Sequence, residues 1–357
     1  MVSEKLDDLI HLSELDERGI LNILARFDRQ IEEALQIGLT ADLPTDVSAL
    51  RNVVISGLGG SAIGGDFLRA YLGRSLRLPM LVNRSYSIPG FVDESTLVIL
   101  SSYSGNTEET ISAFEEARAA GARLLCITSG GQIERMAETA GCPCIKIPTG
   151  YPPRTALAYS AIPVLQALIR FGLVADCSEE VRNSITWVRH KIQLLAPECP
   201  LVENQAKALA RSLYRKIPVI YGSQDRLDVV ATRWRCQVSE NAKQLAYSAS
   251  LPEMNHNEIV GWKHPTPGLR QILPVFLRDR EDHRRVQIRA EITREMLADR
   301  SGAVLEFWTD GETWLERLWT LVLLGDYASV YLAFLNQEDP SQIDAIEGLK
   351  NRLKESA

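Results

Sequence analysis

Residues 96–110 read Thr96-Leu-Val-Ile-Leu-Ser-Ser-Tyr-Ser-Gly-Asn-Thr-Glu-Glu-Thr110. The unbroken apolar run Leu97–Leu100 is what a strand covered on both faces requires. It stops in hydroxyls and a glycine. Glu108 and Glu109 then open a segment of helical period, where their charge suits a helix N-terminus. The same sequence of events occurs upstream, where Asn52-Val-Val-Ile-Ser56 runs into Gly57-Leu-Gly-Gly-Ser-Ala-Ile-Gly-Gly-Asp66. Further apolar runs follow at Met80–Val82, Arg123–Thr128 and Cys144–Ile147, with helical period over 61–72 and 107–120. Gly121 stands where a helix C-cap is expected. Apolar strands alternating with helices predict an α/β fold, a doubly wound parallel sheet with flanking helices.

Working outward, residues 1–45 carry apolar positions at helical spacing, among them Ile20, Leu24, Ile31 and Leu35. They predict an N-terminal helical segment. Residues 46–180 form the first predicted domain. A second, looser α/β block, 181–357, has strands at Ile217–Tyr221, Gln271–Leu277 and Ala303–Trp308. Its helices are expected near 226–243, 280–300, 312–335 and 341–354. Val53-Val-Ile-Ser-Gly57 and Val219-Ile-Tyr-Gly222 both open as strand then glycine, a weak sign of two related halves.

The chain has 357 residues, 46 acidic and 39 basic, for a net charge of -7. That balance, with no Lys/Arg block, excludes a nucleic-acid footprint. An anionic ligand must be held locally, by backbone dipoles and a few side chains. The longest apolar-rich stretch, near Leu318–Leu335, is broken by Gly325, Asp326 and Ser329, so no membrane span is expected. No signal peptide is visible at the N-terminus, and the six cysteines include no Cys-x-x-Cys pair. Reduced thiols and a cytoplasmic setting are expected.

Two turns carry the chemistry. In the first, Gly59, Gly60 and Ser61 open a helix after a strand, where free N–H groups and the helix dipole favour an anion. Gly57, Gly59 and Ala62 also fit a dinucleotide pattern. That pattern wants an acid about 20 residues on, whereas the next strand ends in Asn83-Arg84. A tight structural turn is the third reading. In the second turn, Ser102, Ser104 and Thr107 surround Gly105 at a helix N-terminus. Such a hydroxyl nest can hold a phosphate monoester without a lysine. Capping of the helix by Thr107 with Thr110 would account for one hydroxyl, not three.

The two turns together resemble the SIS, or sugar isomerase, domain. Tyr151-Pro-Pro-Arg154, Ser239-Glu-Asn-Ala-Lys243, Glu253-Met-Asn-His-Asn-Glu258 and Leu349-Lys350 narrow the resemblance to the bifunctional phosphoglucose/phosphomannose isomerase family, from about residue 20 onward. This implies two flavodoxin-like SIS domains, no metal and no cofactor. It also implies a homodimer in which His256 reaches the partner subunit's active site. The implied reaction interconverts glucose 6-phosphate or mannose 6-phosphate with fructose 6-phosphate through a cis-enediol. Another SIS sugar-phosphate isomerase, or a non-catalytic SIS regulator that binds a sugar phosphate, stands as the alternative.

The resemblance also distributes roles. Gly59, Gly60, Ser61, Ser102, Ser104 and Thr107 would bind the phosphate. Glu240 would be the C2/C1 base; read alone it is a helix-end glutamate able to pair with Lys243. His256 would protonate the ring oxygen, a task suited to imidazole near neutral pH. A metal set of His256, Glu253, Glu258 and His264 fits no common zinc spacing. Arg154, fixed by two prolines, would stabilise the enediolate; otherwise it is an ion-pairing arginine. Lys350 would assist ring opening; otherwise it is a solvated helix lysine. Ser341 and Ile343 lie where the family is expected to accommodate both C2 epimers, and Ile343 departs from a polar residue there.

Overall fold

The computed structural model describes residues 2–44 and 50–356, with residues 2–4 and 74 described by backbone alone. The expected boundary between residues 45 and 46 lies outside the described residues. The chain divides into two compact units, each discontinuous in sequence. One comprises residues 26–189 with 311–318; the other comprises 1–25, 190–310 and 319–357.

The unit built on residues 26–189 holds a parallel five-stranded sheet: β1 (Asn52–Ser56), β2 (Met80–Asn83), β3 (Thr96–Ser101), β4 (Arg123–Thr128) and β5 (Cys144–Lys146). Their spatial order is β2-β1-β3-β4-β5. Val53 pairs with Leu97, and Val98 with Leu124, in register. All six residues of β3 are buried, as a central strand with helices on both faces demands. Helices Gly59–Leu72, Glu108–Ala119 and Gly131–Ala140 follow β1, β3 and β4. The first helix after β3 ends at Ala119; Gly121 takes φ +74°, and the Ala122 N–H reaches the Ala117 carbonyl. That is the left-handed closure which glycine permits at lowest cost.

The other unit holds a parallel four-stranded sheet: β6 (Ile217–Ser223), β7 (Tyr247–Leu251), β8 (Ile272–Arg278) and β9 (Leu305–Trp308), in the order β7-β6-β8-β9. β7 is an edge strand with no apolar run. Helices Asp228–Ala242, Arg284–Ser301 and Asp344–Glu355 lie within a few residues of their expected spans. The helix Trp314–Leu335 is long and apolar enough to cross a membrane by length and composition, yet its apolar window is wholly buried inside the protein. Burial within the fold accounts for its apolarity.

Among the described residues, 2–44 do not form one continuous helix. A 3-10 turn, Val2–Asp7, precedes helices Leu9–Leu15, Ile20–Leu24 and Phe27–Thr40. Asp16 makes the break: its carboxylate accepts from the Ile20 and Leu21 amides, at 2.7 and 2.9 Å. Asp7 accepts from Lys207, whose fully buried ammonium also donates to the carbonyls of Pro197 and Cys199.

Candidate active site

In a doubly wound sheet, ligands bind beyond the carboxyl ends of the strands, where the winding reverses. In the first sheet the reversal lies between β1 and β3, and both glycine–hydroxyl turns emerge there. The helix after β1 begins at Gly59 and has no side-chain cap, so its first amides face a ligand position. A Cβ on Gly57 would stand 2.6 Å from the Ser101 carbonyl oxygen. Glycine there lets the turn close against the end of β3. Ser61 is buried; its hydroxyl accepts from the Tyr103 amide at 3.0 Å, tying the first turn to the second.

The second turn is organised by its own hydroxyls. Ser102 is 1% exposed, and its hydroxyl lies 3.0 Å from that of Thr107 and accepts from the Gly105 amide at 3.1 Å. Thr107 occupies the N-cap position of the helix yet makes no side-chain cap bond. Thr110 Oγ1 is buried with no hydrogen-bond partner among the described residues. Capping therefore does not explain these hydroxyls. Gly105 has φ +67°, and a Cβ there would stand 2.9 Å from Thr128 Oγ1. Ser104 is exposed, and its hydroxyl accepts from the Asn106 amide at 3.3 Å.

Arg154 sits in the 3-10 turn Pro153–Thr155 and is 5% exposed. The turn lies directly on the glycine-rich helix: a Cβ on Gly60 would stand 2.9 Å from Arg154 N and nearer still to Pro153 O. Gln30 clamps the same turn, donating to the Thr155 carbonyl and accepting from the Ala158 amide, both at 3.0 Å. Thus Gly60, Ser61, Ser102, Thr107 and the Arg154 turn are gathered at one sheet edge. Asn83 and Arg84 are engaged elsewhere: Asn83 donates to Ser56 and the Ser87 carbonyl, and Arg84 pairs with Asp66.

The remaining candidates belong to the second unit, on three elements. Glu240 is half-buried near the end of helix Asp228–Ala242. Lys243, its expected ion-pair partner, donates to the carbonyls of Asn241 and Asp339. His256 is exposed in the 3-10 turn Glu253–His256. That turn is held by buried Met254 and by Asn255, which donates to Thr293 at 2.8 Å. Glu253 accepts from Asn257, and Glu258 from Tyr221. Burial, then the Glu258 charge, pushes the Tyr221 hydroxyl far above its ordinary value. Among the described residues, no group of three or more His, Cys, Asp or Glu could hold a metal ion. Lys350 is exposed on helix Asp344–Glu355, which buries no residue. Ser341 is buried and donates to Asp339 at 2.7 Å.

Residues 48–146 match the SIS domain family, and residues 202–353 match the bacterial phospho-glucose isomerase C-terminal SIS domain. A bifunctional phosphoglucose/phosphomannose isomerase of Caldicellulosiruptor bescii is 42% identical over 326 residues, covering 91% of this chain and 96% of that protein. The chain belongs to the bifunctional phosphoglucose/phosphomannose isomerase family. A second relative of the same name, from Aquifex aeolicus, is 37% identical, covering 88% of this chain and 94% of its own. Among solved structures, a hypothetical protein from Thermus thermophilus shares the fold with a TM-score of 0.75 at 18% identity, covering 99% of this chain and 94% of that one.

In this member of the phosphoglucose/phosphomannose isomerase family, the two winding-reversal points differ. Beyond β6 and β8 the corresponding crevice is filled by the chain's own carboxylates. Asp282 accepts from Ser223 at 2.7 Å and from Arg226 at 3.0 Å; Asp279 accepts from Arg226 at 2.6 Å and from Thr309 at 2.5 Å. Both aspartates are buried. The first sheet thus presents hydroxyls and uncapped amides at its reversal point, whereas the second holds two buried aspartates already bonded to Arg226, Ser223 and Thr309 there.

Tyr103 carries no role in the sequence reading. Its hydroxyl donates to the Pro148 carbonyl at 2.9 Å and accepts from the Tyr151 amide at 2.8 Å, joining the hydroxyl turn to the segment that leads to Arg154. Burial pushes this hydroxyl above its ordinary value. The available signal was an aromatic side chain inside a Ser-x-Ser nest. Gln30 carried no signal, because its partners lie about 125 residues away in sequence.

Proposed function

We propose that the chain interconverts glucose 6-phosphate and mannose 6-phosphate with fructose 6-phosphate. The observation that carries this reading is the hydroxyl pair Ser102–Thr107, 3.0 Å apart at a helix N-terminus with no side-chain cap, beside the Arg154 turn. Hydroxyls, free amides and a helix dipole suit a phosphate dianion on a protein of net charge -7. In the proposed reaction Ser61, Ser102, Ser104, Thr107 and the Gly59–Gly60 amides bind the phosphate. His256, assisted by Lys350, protonates the ring oxygen as the C1–O5 bond breaks and the O1 hydroxyl gives up its proton to solvent, leaving the open-chain aldehyde. Glu240 takes the C2 proton and returns it to C1, while the O2 hydroxyl proton passes to O1 to leave the C2 ketone. Arg154 stabilises the enediolate oxygens between these steps, as a fixed guanidinium in a buried position does best.

The exposed position of His256 supports its delivery to a partner subunit in a homodimer. A cytoplasmic setting belongs to the same proposal. The decisive experiment is a coupled assay of metal-stripped protein for fructose 6-phosphate formation from each aldose ester. Turnover of both is expected. Turnover of one would restrict the substrate, and turnover of neither would reject the reading.

A further inference from the structure

Glu240 rides on a helix whose buried contacts are unusually polar. Arg233 and Asp326 form a bidentate pair, Nε–Oδ1 2.9 Å and NH2–Oδ2 2.6 Å, with side chains 4% and 2% exposed. Gln237 donates to the same Asp326 oxygen at 2.8 Å. Asn241 donates to Ser329 at 2.8 Å, and Ser329 donates to the Asp326 carbonyl at 2.7 Å. Arg233, Gln237 and Asn241 recur every four residues, so they form one stripe along the helix. Between them Trp234 donates to the Leu321 carbonyl at 2.7 Å, its indole so close that a Cβ on Gly325 would stand 2.5 Å from Cε2.

Stability alone does not account for such a stripe. Well-packed apolar side chains replace a buried ion pair with no loss of stability in many folds. What a fork-on-fork pair adds is geometry, because two parallel bonds fix both the axial position and the rotation of the helix. Glu240 lies seven residues, close to two full turns, beyond Arg233 and so projects from nearly the same side. A slip of one helix against the other would carry the carboxylate with it.

We propose that Arg233 and Asp326 are positioning residues that hold the Glu240 carboxylate in register with the substrate C1–C2 bond. The inference rests on the reading of Glu240 as the base. Displacing a reacting group by about 1 Å can cost around 100-fold in rate. The pair acts on the proton-transfer step and not on phosphate binding.

The test replaces the pair by an apolar one, Arg233→Met with Asp326→Leu, and measures Arg233→Lys and Glu240→Gln alongside. Expected for the apolar pair are cooperative unfolding with a midpoint lowered because buried Gln237 loses its Asp326 acceptor, an unchanged KM for glucose 6-phosphate, and kcat lowered about 10- to 100-fold. Deuterium placed at C2 should also be lost to solvent more often instead of reaching C1. Arg233→Lys keeps the charge and loses the fork, so it should show a smaller fall in kcat. If the apolar pair does not fold, Arg233→Lys decides the question. Wild-type kcat and deuterium transfer in the folded variants would overturn the proposal while leaving Glu240 as base if Glu240→Gln is inactive. Wild-type turnover in Glu240→Gln would overturn both.

Discussion

The peptide of Arg154 rests on the backbone of Gly60, close enough that a single added methyl group would reach within 2.9 Å of Arg154 N. The contact joins two segments about 90 residues apart in sequence and sets the guanidinium-bearing turn beside the proposed phosphate cradle. Gly60→Ala should therefore do more than crowd a helix. It should push the Pro153–Thr155 turn outward, lowering kcat at least 10-fold and stability by about 1–3 kcal/mol. Steady-state kinetics and urea unfolding on the same preparation check both effects. A variant with full activity would show that the approach is incidental.

Ser102 and Thr107 share one hydrogen bond and face the same helix N-terminus. Loss of either hydroxyl removes a donor to the proposed phosphate, a charge-assisted bond worth about 1.5–3 kcal/mol. Ser102→Ala and Thr107→Val should each raise KM for the sugar phosphate about 10-fold. They should weaken inhibition by inorganic phosphate in parallel. Loss of activity with undiminished phosphate inhibition would place the anion elsewhere.

If His256 serves the partner subunit, two inactive variants can rescue each other. Glu240→Gln and His256→Ala, denatured together in equal amounts and refolded, should give hybrid dimers with one intact site in two. With random assortment, roughly a quarter of wild-type activity should return. No recovery, with hybrid formation shown by mass spectrometry of differently tagged chains, would place His256 in its own chain's site or outside catalysis.

Burial holds the Asp282 carboxyl above its ordinary value, against the opposing pull of Ser223 and Arg226. The folded chain thus binds this proton more tightly than the unfolded chain. The stability contributed by this group is present at low pH and declines as pH rises through the folded pKa. Asp282→Asn has no such proton. Its stability relative to wild type should improve as pH rises above the ordinary carboxylate value and level off once the folded Asp282 carboxyl has ionised. Urea unfolding at several pH values reads the difference directly, and a flat difference would contradict the assignment.

The first sheet was legible because its strands are covered on both faces. Thr96–Leu100 and Asn52–Ser56 could be read as strands from apolarity alone, and the turns after them declared themselves by glycine and hydroxyl content. β7 was not legible: Tyr247-Ser-Ala-Ser-Leu251 is an edge strand, and its burial rises only at Leu251. The break at Asp16 was hidden because apolar spacing persists through it while a carboxylate caps the next helix. In the candidate site, residue types and spacing marked Ser102 and Thr107, and the family resemblance marked Arg154. The approach of Gly60 to Arg154 and the bonds of Tyr103 depend on backbone geometry that no linear pattern encodes.

Lys207 has one more consequence. Its ammonium is sealed from water, and Asp7 supplies its carboxylate. The opening residues thus behave as a strap fastened to the unit's interior. Shortening the chain past Asp7 would leave a buried cation held by the Pro197 and Cys199 carbonyls and the Tyr331 ring, with no carboxylate, at a cost of at least about 1–3 kcal/mol. A version trimmed back to the first regular helix at Leu9 would unfasten it.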